Sequence, residues 1–333
     1  MRTQWSSAEI LDAFRALGGT AENIRLDVDE GKLFAHDPER PVLLRVPENL
    51  LFSAKAFEFV EGVLRLKDPD EASPGARDFL VGYENAMGRA VFERAAAAID
   101  ALDSLPATVK ELLSRDFGMR QLFEGERAVR IENRIISRRA IRKGDGLVIA
   151  PVLELAEPDA RGLAIEFGNG IRIGGIAQGG VRVLCPFLDA LAIFQQSGFA
   201  AAQPAAFSLP MTIMSGETEI SIGRELHLGE RRGEVTVPQL NVVANNRLAL
   251  SHLMLGHSSF PRLARGIFCS RMGDANVSES DAQFDRIVQE NSARLLRLLG
   301  ALDRTEGATA AALRHMARHQ LQAMSWSIGT RKI

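Results

Sequence analysis

The hydrophobic period of this chain switches several times, and the order of the switches limits the fold more than any single motif. Short strand-like runs come first: ENIRLDVD, GKLFAHD and PVLLRVP, between Glu22 and Pro47, with Gly, Asp and Pro between them. A helical pattern follows the polar stretch KDPDEASPGARD and places Phe79, Tyr83, Met87 and Val91 four residues apart on one stripe. SLPATVKELLSRDFG extends this helical part to Gly118. Strand-like runs then resume, in ERAVRIENRII, GLVIAPVLELA, AIEFGNG, IRIGGIA and GVRVLCP, and LDALAIFQQSG interrupts them as a brief helix. From about Ser278 to Met324 the pattern is helical again, broken at GATA. Because strands and helices come in blocks and do not alternate, the chain predicts an α+β fold, not a doubly wound sheet.

The amphipathic start, AEILDAF after a serine cap, lacks the apolar run of a signal peptide. No stretch reaches the eighteen or so apolar residues of a membrane span. With 40 basic and 42 acidic residues, the net charge of -2 offers no general attraction to nucleic acid or anionic lipid. Two cysteines, Cys185 and Cys269, suit a reducing cytoplasm and are too few for a cysteine zinc cluster.

Several pieces resemble chemical motifs and fall short of them. GNGIRIGG sits between strands and opens no helix, so its glycines read as a hairpin turn and not as a dinucleotide cradle. His315 and His319 share a helical face, but no third ligand accompanies them and the triplet between them is Met-Ala-Arg. His252 and His257 have no recognised ligand spacing, and a metal site built on a distant His36 or His227 has no local support. GHSSF offers serines beside a histidine without a nucleophile elbow. Glu154, Glu157, Asp159 and Glu166 form the densest acidic group beside a core run, next to Arg161. Arg130 and Arg134 share one face under strand alternation and, with Arg138, suit phosphate or an acidic segment of a protein or peptide partner, although Glu126 and Glu132 dilute the charge and a solvated face explains it as well. No aromatic platform for nucleic acid accompanies them.

Three stretches carry a family resemblance. PVLLRVPENLLF (Pro41 to Phe52), NRIISRRAIRKGDGLVIAPVLELAEPDARG (Asn133 to Gly162) and CPFLDALAIFQQSGFAAAQPAAFSLPM (Cys185 to Met211) resemble, in order and spacing, segments of SET-domain protein methyltransferases. The branch is the one that modifies the Rubisco large subunit and related targets, and the likeness covers about residues 20 to 212. It implies a SET-like β-fold over residues 1–212 with a helical insertion at about 73–118. A C-terminal domain, mixed and then mainly helical, would fill residues 213–333.

The resemblance also implies S-adenosylmethionine as cofactor, held around Leu155, Ala156, Glu157 and Pro158 with Phe199 as an aromatic wall, and a protein lysine as methyl acceptor. Two positions depart from the pattern. The family's asparagine and histidine fall near Glu157 and Pro158, and proline can neither donate a backbone hydrogen bond nor replace an imidazole. The tyrosine that closes the family's active site is expected near Leu184, Cys185 or Phe187, none of which is tyrosine. Two expectations follow: a diverged methyltransferase, or a catalytically inactive SET-like scaffold that binds a protein partner. Both require Glu157 and Leu184 to come together.

Overall fold

The computed structural model describes residues 5–185, 188–232, 235–244, 246–275 and 277–327. The fold is mixed α+β, with eight α-helices and several small sheets among the described residues. Its contacts divide the chain into two units: Met1–Asp100 with Gly125–Cys185, and Ala101–Glu124 with Pro186–Ile333.

The first unit starts with α1 (Ser7–Ala16), followed by β1 (Thr20–Glu22), β2 (Ile24–Asp27), β3 (Lys32–Ala35) and β4 (Pro41–Val46). After β5 (Phe52–Ser53), β6 (Phe57–Val60) and β7 (Val63–Leu66) comes the long helix α2 (Pro74–Asp103). The other unit supplies α3 (Ala107–Arg115), and the chain returns through α4 (Arg127–Arg139), β8 (Ala140–Lys143) and β9 (Gly146–Ile149). β10 (Glu157–Ala164), β11 (Glu166–Gly168), β12 (Gly170–Ile176) and β13 (Arg182–Leu184) complete the first unit.

Ser6 caps α1 in a reciprocal box with Glu9, as the serine in the sequence suggests. The largest sheet of this unit runs β1-β4-β12-β11, and Leu44 and Val46 pair with Ile173 and Ile171, all four fully buried. Alternation of apolar and polar residues in β4 puts that set on the core face. On α2, Phe79, Tyr83 and Met87 are buried, and Phe79 packs against Trp5, Phe14 and Tyr83 at 5.8–6.3 Å between ring centroids. The run ERAVRIENRII, read above as a strand, is helical. Its apolar residues Ile131 and Ile135 are four apart and both buried, which suits a period of 3.6 as well as one of 2.

The second unit continues with α5 (Ala190–Ser197), β14 (Ala205–Phe207), β15 (Met211–Ser215), β16 (Thr218–Ile222), β17 (Glu230–Arg232) and β18 (Val235–Val237). It ends with β19 (Leu240–Ala244), β20 (Arg247–Leu250), β21 (Met254–His257), α6 (Leu263–Asp274), α7 (Ser280–Leu302) and α8 (Ala308–Ser325). β15-β16-β20-β19 form its main sheet, and β14 pairs with β21. Asp189, fully buried, ties this unit together: it caps α5 through Ala192 N–H and accepts from Phe207 N–H, Arg224 and Gln320 at 2.7–3.0 Å. Burial alone would raise its pKa, but the charge of Arg224 and these hydrogen bonds hold it below the ordinary carboxylate value.

His252 is buried in the same unit. Ser251 Oγ accepts from Gln239 N–H at 3.0 Å and shares a 3.0 Å hydrogen bond with His252 Nδ1. Burial lowers the imidazole pKa to about 4; backbone carbonyls of Thr236 and Glu225 oppose the shift, and Arg224 adds to it. Two outcomes are expected. Asp189→Ala, which strands Arg224, lowers stability by about 3–5 kcal/mol in urea unfolding. Because the unfolded chain takes up the His252 proton near pH 6.5 and the folded one only near 4, stability is full above 6.5 and falls between 6.5 and 4 by about 3 kcal/mol. His252→Gln removes that part of the pH profile.

Candidate functional site

The site is built at the crossing where β9 ends and β10 begins, within the first unit. Val152 has φ 71° and ψ -54°, a conformation that costs a β-branched residue about 1–3 kcal/mol. Its amide donates to Tyr83 Oη at 3.2 Å. The next residues make one 3₁₀ turn, Leu153–Leu155, which carries the Glu154 side chain inward. There Glu154 Oε1 accepts from Tyr83 Oη at 2.8 Å and from Arg139 Nη2 at 2.7 Å. Arg139 also forms a two-pronged pair with Glu84, one prong at 3.0 Å. All three charged side chains are 5% exposed or less.

One guanidinium therefore serves two carboxylates in the core. Burial would lower the Arg139 pKa, but Glu154 and Glu84 drive it well above the ordinary value, so it stays charged. Burial raises Glu154, against the pull of Arg139. Burial and the neighbouring Glu154 charge also push the Tyr83 phenol up. Among the described residues, buried Glu154 Oε2 and Arg139 Nε find no hydrogen-bond partner. The chain's sole tyrosine thus acts as a structural clamp on the crossing.

The strand that leaves the crossing is irregular. Glu157 and Pro158 pair in parallel with Arg182 and Val183; after a bulge, Leu163 and Ala164 pair with Val183 and Leu184. Asp159 pins the bulge, accepting from Arg161 N–H at 2.8 Å and from Arg182 at 2.7 Å. A Cβ on Gly162 would strike the backbone of Val183, so glycine is required where the two strands come together. This explains the acid, proline and glycine of AEPDARG: they form a bulge that lets β10 meet β13 twice.

Three more charges act on this corner. Arg138 lies next to Arg139 but remains exposed. Its pKa is lowered by the surrounding protein and by Arg94, and is supported by Glu157 and Glu154. Arg94, from α2, is lowered by burial and supported by Glu157. Arg134 is buried and pushed to about 10 by burial and by Arg138. Among the described residues, neither the Arg138 nor the Glu157 side chain forms a hydrogen bond or a close ion pair.

Glu157, Pro158 and Leu184 therefore lie on neighbouring strands. Ala156 is buried, and Leu155 and Pro158 are partly so. Cys185 is half-buried, and burial raises its thiol to about 11, which removes it as a thiolate nucleophile near neutrality. Phe187 lies outside the described residues. Phe199, half-buried, follows the left-handed Gly198 at the end of α5 and belongs to the other unit. Arg130 and Arg134 point inward from α4, whereas Arg138 points out.

Arg94 and the Tyr83–Glu154–Arg139–Glu84 cluster were not legible as parts of the site. A charge within a long helix reads as solvated; of the cluster only Glu154, in the acidic group beside a core run, and Tyr83, on the apolar stripe, gave a signal. The His315 and His319 rings stack at 6.3 Å on α8. Among the described residues no group of three His, Cys, Asp or Glu side chains could hold a metal ion, and no helix is long and apolar enough to cross a membrane.

Tyr83→Phe is expected to cost about 1–3 kcal/mol in urea unfolding, because it leaves the Val152 amide unsatisfied and takes a partner from Glu154. No family model matches the chain, and neither a curated protein nor a solved structure shows similarity to it.

Proposed function

We propose that this chain is a diverged SET-type protein that binds S-adenosylmethionine and acts in the manner of a protein lysine methyltransferase. One observation carries the reading: Glu157 begins β10 directly after the Val152–Leu155 crossing and pairs with β13, while Arg138, exposed at the end of α4, adjoins the Arg139 that binds Glu154 of that crossing. The amino-acid end of S-adenosylmethionine bears one carboxylate and one ammonium. Arg138 would take the first and Glu157 the second, as charge-assisted hydrogen bonds. The cofactor supplies a methyl group already activated as a sulfonium. The chain's part is to hold the amino-acid end, shape the wall with Leu155 and Ala156, and admit a protein side chain. A cytoplasmic setting, where both free thiols stay reduced, belongs to the same proposal.

The clamped tyrosine favours a second reading in which cofactor binding survives and turnover does not. Tyr83 Oη is committed to Glu154 and Val152 within the core, and Leu184 and Cys185 offer no phenol. Without a hydroxyl to orient an incoming amine, transfer would fall by about 10²-fold or more. The scaffold would then serve as a protein-binding module.

Calorimetry with S-adenosylhomocysteine tests the shared core of both readings. A Kd of about 100 μM or tighter is expected, with 5′-methylthioadenosine, which lacks the amino-acid end, much weaker. Glu157→Lys should abolish the difference. Absence of uptake by the wild-type chain overturns the cofactor reading. Transfer of a labelled methyl group to any protein lysine separates the enzyme from the scaffold.

A further inference from the structure

Two imidazoles on α8 stand apart from everything the proposed cofactor site uses. The helix runs for 18 residues, and Leu313, Met316, Ala317 and Gln320 are buried along one side of it. His315 and His319, four residues apart, project from another side: His315 is exposed and His319 is half-buried. Their rings stand side by side, with centroids 6.3 Å apart and planes 28° from parallel. Among the described residues neither ring takes part in a hydrogen bond or an ion pair. Of the neighbouring cations, Arg314 is turned away, donating to the carbonyls of Leu302 and Thr305 at 2.8 and 2.7 Å. Arg318 is exposed and free to swing into solvent.

A neutral imidazole is a good ligand for zinc and copper, and a pair one helical turn apart is a bidentate chelator. Two imidazoles that share a tetrahedral ion, each nitrogen about 2.0–2.1 Å from it, place their ring centroids about 5 Å apart. The rings of His315 and His319 are close to that spacing already, and rotation about their side-chain torsions closes the rest without breaking a hydrogen bond. The backbone beneath them is held, because α8 packs along α5 and α7 in the same unit, so binding has little left to order. The other histidines form no such pair: His252 and His257 are buried, and His36 and His227 belong to different units.

We propose that His315 and His319 form an open two-histidine site for a divalent metal that favours imidazole, zinc or copper(II), with water in the remaining positions. Among the described residues no third His, Cys, Asp or Glu completes it, so the ion is exchangeable and not a structural part of the core. The site lies wholly in the second unit and does not depend on the cofactor reading.

Calorimetric titration of the full chain with zinc chloride at about pH 7.5, where both imidazoles are neutral, tests this. Two of the four ligands of a closed zinc site support a Kd on the order of 10 μM, with one ion per chain. Copper(II) should bind at least about tenfold tighter, and magnesium, which prefers oxygen, should not bind. His315→Gln and His319→Gln should each weaken zinc about a hundredfold, because a single imidazole remains. Zinc should raise the urea midpoint of the wild-type chain and leave that of either variant unchanged.

Zinc affinity that does not differ between the wild-type chain and His315→Gln overturns the proposal, whether both bind or neither does. If the half-buried His319→Gln destabilises the chain, His315→Gln decides alone: its side chain faces solvent, and its metal-free urea midpoint should match the wild type.

Discussion

A single buried guanidinium, Arg139, organises the first unit. It joins α2 through Glu84, the end of α4 through its own backbone, and the crossing through Glu154. Removing Arg139 would leave two carboxylates uncompensated in the core, at a cost of about 3–5 kcal/mol, so the arrangement depends on that one side chain. Tyr83 extends it by clamping the Val152 amide. The strained turn at Val152 persists because this set over-determines it. Where β10 begins, and hence its pairing with β13, follows from that clamp.

The same helix end also creates the charge that is left over. Successive helical residues diverge by about 100°, so Arg138 and Arg139 cannot both face the core. Arg139 is absorbed by two carboxylates, and Arg138 remains exposed. The structural and the functional candidates are therefore neighbours in sequence with opposite fates. Their difference is geometric and not chemical.

Much of the scaffold was legible because its signals are local. The stripe Phe79–Tyr83–Met87 marked the buried face of α2, and a serine cap before AEILDAF marked the start of α1. The helix α4 was misread as a strand because residues four apart share a face under either period; Ile131 and Ile135 could not decide between them. Arg130 and Arg134 turned out to point inward for the same reason: their shared face is a buried helical one. Arg94 gave no signal at all, since nothing in its helix records that a hairpin more than sixty residues earlier turns toward it.

By itself the sequence determined the blocks of strand and helix and the absence of a second tyrosine. These are properties of residue type and spacing, which act over a few residues. Only the tertiary structure decided that Tyr83 is spent on the core, that Glu157 and Leu184 lie on neighbouring strands, and that Arg94 reaches the carbonyls of Asp29 and Glu30. Burial and Coulomb interactions depend on distance in space, and the chain acquires those distances only when Arg139 brings α2, α4 and the crossing together.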